Sequence, residues 1–122
     1  MAPGPSPLVI VTQAVQRLVK ENNYYLKELS QQTERVARLE KEQTNGAHAG
    51  DDNAEFVLKQ EKKALEETKA VFAPLHERIS DSVQRLEEQL AASESEGGPA
   101  DEISKAKEAL KLGKSVEPPV VV

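Results

Sequence analysis

The stretch RLVKENNYYLKELSQQTERVARLE, Arg17 to Glu40, runs for two dozen residues without a proline, a glycine or a cysteine. Counted outward from it, positions 11, 15, 18, 22, 25, 29, 32, 36 and 39 advance by alternating steps of four and three. They read Val11, Val15, Leu18, Asn22, Tyr25, Leu29, Gln32, Val36 and Leu39, a heptad rhythm held over about four heptads. Such spacing predicts one long helix packed along a seam. Val19 and Leu26 widen the stripe beyond the needs of a two-stranded coiled coil, so this helix is expected to meet two neighbours. Asn22 and Gln32 interrupt the seam. Either they are buried polar pins that fix register, or they mark loose packing.

Upstream, Ser6-Pro7 can cap and open the helix, because proline at the first helical position gives up no hydrogen bond. Thr12 is the alternative start. Residues 1–7, MAPGPSP, are expected to be disordered.

Downstream, TNGAHAGDDN (Thr44 to Asn53) breaks the pattern and offers Asp51, Asp52 and Asn53 as helix caps. A second long helix follows, with Leu58, Ala64, Leu65, Thr68, Phe72, Leu75, Ile79, Val83, Leu86 and Leu90 on one stripe. Lys62–Glu66, Lys63–Glu67 and Asp81–Arg85 are expected to pair along its outer face. Pro74 lies inside it. An interior proline costs about 3 kcal/mol, yet the stripe continues in phase across it, which predicts one kinked helix rather than two. After SESEGGPAD, a short third helix is expected from Asp101, with Ile103, Ala106 and Leu110 as its stripe and Gly113 as the left-handed residue that ends it. The tail, residues 114–122, is expected to be disordered. The whole predicts an all-α fold, an antiparallel three-helix bundle over residues 8–113.

Composition narrows function. Charged residues make up 30% of the 122-residue chain and the net charge is −5, without the Lys/Arg cluster that tracking phosphates requires, so no nucleic acid is expected as a partner. No apolar run approaches the roughly 20 residues needed to span a bilayer, and the N-terminal stretch lacks the basic region of a signal peptide. With no cysteine, a reducing compartment is compatible and the cytoplasm is the default. His48 and His76 lie far apart and read as surface residues. Acidic pairs such as Glu66-Glu67 point about 100° apart on a helix, which suits solvation better than metal binding. Phosphate loops and catalytic signatures are missing, so neither catalysis, a cofactor, a metal nor a small-molecule substrate is expected.

What remains is surface. Tyr24 and Tyr25 cannot both enter the seam. Tyr25 fits it, which leaves Tyr24 beside Arg17, Lys20 and Lys27 at spacings of seven, four and three. That is either a protein-binding patch or a tyrosine laid flat along its own helix.

QRLVKENNYYLKELSQQTERVARLE resembles the first helix of the tubulin-binding cofactor A family, and LKQEKKALEETKAVFAPLHERISDSVQRLEEQL is similar to the family's second. The likeness extends over about residues 8–112 and is closest to fungal members in NNYY and LEETK. It implies a non-catalytic chaperone of the cytoplasm and cytoskeleton that holds β-tubulin, a folding intermediate or excess subunit, before the heterodimer assembles. It implies Arg17, Lys20, Glu21, Tyr24 and Lys27 as contact residues and Pro74 as a determinant of shape. Gln16 departs from the basic residue usual in the family, and the NGAHAGDD loop and PPVVV tail are longer. The rival reading is a three-helix adaptor that regulates membrane-fusion or other helical proteins. Monomer and homodimer both stay open.

Overall fold

Proline, serine and glycine set the limits of every helix. The computed structural model describes residues 4–46 and 50–117, and within them the chain forms α1 (Pro7–Thr44), α2 (Asp52–Ser95) and α3 (Ala100–Lys114), with no strand among the described residues. His48 and parts of the expected lead and tail (1–3 and 118–122) lie outside the described residues.

Ser6 caps α1. Its Oγ accepts the Val9 N–H at 3.2 Å, and its hydroxyl donates to Glu102 Oε1 at 2.7 Å. Pro7 has no N–H to satisfy. Thr12, the alternative start, is buried one turn inside, its hydroxyl bonded back to the Leu8 carbonyl at 2.7 Å. Of the three cap candidates for α2, Asp51 takes the role, accepting the Asn53 N–H on Oδ1 at 2.9 Å. The helix then passes through Pro74 as one element. It stops at Gly97, whose φ of 70° allows the Gly98 N–H to reach the Ser93 carbonyl (2.8 Å) and its own N–H to reach Glu94 (3.2 Å). This is a Schellman ending, which glycine adopts without steric cost.

The third helix differs from expectation at both ends. It starts at Ala100, with Pro99 in the cap position and no side-chain cap bond, and it runs past Gly113 to Lys114. Ser115 closes it, bonding the Lys111 carbonyl through its hydroxyl at 2.6 Å. Gly113 is therefore a helix residue and not the left-handed terminator. It is buried, and a Cβ built there would stand 2.6 Å from Val83 Cγ2 and 3.0 Å from Val15 Cγ1. Glycine is needed for close approach of three helices. The buried stripe of α3 is Ala106, Ala109 and Gly113, with Ile103 and Leu110 only half-buried beside it.

Together the helices form a three-helix bundle with two compact units: residues 4–22 with 73–117, and residues 23–46 with 50–72. In the first, Ser6 meets Glu102 and Glu87 meets Lys114 (3.3 Å), so α3 runs parallel to α1 and antiparallel to α2. Leu8, Val15, Leu75 and Leu86 are its largest enclosed apolar side chains, each 2% exposed or less. Burying one leucine-sized side chain contributes about 1.5–3 kcal/mol, so these four alone outweigh the exposed ion pairs. In the second unit, among the described residues, α1 packs on α2. Val36, Leu58 and Leu65 form its core, flanked by half-buried Leu29 and Leu39.

The outer-face pairs expected on α2 are replaced by others. Lys62 reaches Glu40 of α1 at 3.2 Å, and Glu66 takes Lys69 at 3.1 Å. Arg35 bonds Glu61 at 3.2 Å. Lys63–Glu67 and Asp81–Arg85 form no ion pair among the described residues. Pairing within one exposed helix face gains only about 0.2–0.5 kcal/mol, so a carboxylate presented by the neighbouring helix competes easily.

Candidate functional site

The candidate contact residues all stand on α1. Arg17 and Lys20 are exposed and Glu21 half-buried on the stretch that belongs to the first unit. Tyr24, 59% exposed, and Lys27, also exposed, belong to the second. Arg17, Lys20, Glu21 and Lys27 form no ion pair among the described residues. Charged side chains not engaged in ion pairs can contribute to the encounter with a partner of complementary charge.

The paired tyrosines divide as their adjacency requires. Tyr25 turns inward to an edge-on contact with buried Phe72, ring centres 6.5 Å apart. Tyr24 turns outward, its ring meeting Tyr25 edge-to-face at 5.3 Å and an interplanar angle of 77°. The contact holds Tyr24 upright, so most of the ring stays available. Pro74 is exposed on α2.

Asn22 is a true interior residue, 2% exposed, and its Oδ1 lies 2.8 Å from His76 Nε2. The carboxamide oxygen can only accept, so the imidazole donates through Nε2. His76, expected on the surface, is half-buried for this reason. The sequence signal was present, since Asn22 on an apolar seam needs a partner, but nothing in the sequence pairs residues 54 apart. Gln32, the other polar seam residue, is different. Its Oε1 is buried with no hydrogen-bond partner among the described residues.

Two concavities open in the first unit. One, about 270 Å³, is floored by Ile79, Val83 and Gly113 with His76 and Lys114 at its edge. The other, about 420 Å³, lies between Thr12 and Gln16 of α1 and Asp101 and Lys105 of α3. Neither has a deep apolar interior with convergent polar groups of the kind that holds a small molecule. No group of three or more histidine, cysteine or acidic side chains converges on a metal position among the described residues. Within the same residues, no helix is long and apolar enough to cross a membrane.

A helical scaffold that offers charged and tyrosine-bearing faces defines a binding protein. The chain belongs to the tubulin binding cofactor A family, whose family model matches residues 3–110. The tubulin-specific chaperone A of Saccharomyces cerevisiae is 31% identical over 85 residues, which cover 70% of this chain and 73% of that protein. No solved structure matches the chain. The family is one of chaperones and not of enzymes.

Proposed function

We propose that this protein binds β-tubulin in the cytoplasm and holds it, as a folding intermediate or an excess subunit, until the αβ-heterodimer assembles. Membership of the cofactor A family across residues 3–110 is the observation that carries this reading. The yeast relative, named for its specificity toward tubulin, supports it. Binding of this kind needs no group transfer and no cofactor; a helical face and a complementary partner suffice.

On this reading the contact runs along α1 through Arg17, Lys20, Glu21, Tyr24 and Lys27. The charges set encounter rate and selectivity, while the exposed ring of Tyr24 supplies desolvated area and hence affinity. Support comes from the exposure of Arg17, Lys20 and Lys27 and from their forming no ion pair among the described residues.

Gel filtration of the purified chain with β-tubulin released from its heterodimer tests the proposal. Co-elution in a complex that excludes α-tubulin is the expected result. A helical chain that elutes alone at micromolar concentrations of both proteins overturns it, and turns the search to coiled-coil partners in membrane traffic.

A further inference from the structure

Among the described residues, the second unit is built from parts of α1 and α2, without a third helix. Its buried side chains are Val36, Leu58, Leu65, Thr68 and Phe72, and each keeps 4–9% of its surface exposed. Within the same seam two polar atoms, Gln32 Oε1 and Gln43 Nε2, are shut away from solvent with no hydrogen-bond partner among the described residues. A buried acceptor or donor without a partner forfeits the bond it makes with water, and regains it when the seam parts. Two pairs that bridge α1 and α2 here, Arg35–Glu61 and Lys62–Glu40, lie at the surface, where such pairs oppose parting only weakly. Asn22 in the first unit shows the contrast, because its amide is satisfied by His76.

From this we infer that the second unit opens on its own, well below the free energy of global unfolding, and that Gln32 sets how often it does so. Opening hydrates the Gln32 and Gln43 amides and lays bare a stripe of Leu29, Val36, Leu39, Leu58 and Leu65. Partial openings of this type are cooperative units in their own right. The inference concerns the chain alone and does not depend on what it binds.

Native-state hydrogen exchange of the full chain, followed by NMR at increasing sub-denaturing urea, tests it. Amides of residues 26–44 and 56–70 are expected to share one opening, distinct from and easier than the opening of residues 8–22 and 75–92. In the Gln32→Leu variant the first group exchanges roughly tenfold more slowly, while the second is unchanged. Gln32→Glu, which places a charge in the seam, is expected to shift the first group the other way. A single opening common to all these amides overturns the inference. So does a Gln32→Leu variant whose first group exchanges at the original rate.

Discussion

His76 donates to Asn22 across 2.8 Å, a bond that joins α2 to α1 through a side chain almost wholly removed from solvent. Removing His76 takes the donor away from a carboxamide oxygen shut off from solvent. His76→Ala is therefore expected to destabilise the fold by about 1–3 kcal/mol, and Asn22→Ala by a similar amount through the loss of a buried, hydrogen-bonded side chain. Chemical denaturation of both single variants and the double variant should show a coupling of about 1 kcal/mol. Strict additivity would mean that the two side chains act independently.

Gly113 tests how tightly α3 is seated. Alanine is favoured over glycine inside a helix by about 1 kcal/mol, so propensity alone predicts stabilisation. The added methyl, however, would meet Val83 and Val15 at 2.6 and 3.0 Å, and a valine side chain has little freedom to move aside. Gly113→Ala should therefore lower stability, by about 1–3 kcal/mol as overpacking usually does. A raised urea midpoint would show that α3 shifts without cost.

Ser6 acts twice, as the cap of α1 and as donor to Glu102. Ser6→Ala should cost about 1 kcal/mol from the cap alone. Ser6→Gly keeps part of the capping preference but loses the bond to Glu102. Thermal melts that place both variants level with the parent would show that neither bond contributes.

The proposed tubulin contact predicts a separation of effects. Arg17→Glu combined with Lys20→Glu is expected to abolish complex formation in gel filtration while circular dichroism stays unchanged, since both side chains are exposed and unpaired. Tyr24→Ala should weaken affinity by a hot-spot amount, about 2 kcal/mol, at little cost in stability. Full affinity in the double charge reversal would move the contact to another face.

Much of this fold could be read from the chain before any coordinates. The stripe of α2 from Leu58 to Leu90 is buried almost residue for residue, because an unbroken 3.6-residue period leaves one face no other place to go. The start of α1 was harder. There the enclosed positions are Leu8, Thr12, Val15, Val19 and Asn22, while Val11 and Leu18 are only half-buried. A third helix packs on this part of α1, and a helix with two neighbours centres its buried arc between them. Periodicity cannot report that shift. Nor does it distinguish a glycine that ends a helix from one that lets a helix come close, and Gly113 is of the second kind. Arg17, Lys20, Tyr24 and Lys27 are exposed as their place off the seam requires, while Glu21 is half-buried, and exposure alone does not say what touches them.

The bond from Ser6 to Glu102 spans 96 positions of the chain. During synthesis, the serine that begins α1 emerges long before the carboxylate that completes its environment. The first unit is complete only with α3 in place, because Gly113 seats that helix against Val15 and Val83. Its packing thus joins the two ends of the described chain, whereas the smaller core of Val36, Leu58 and Leu65 is drawn from its middle.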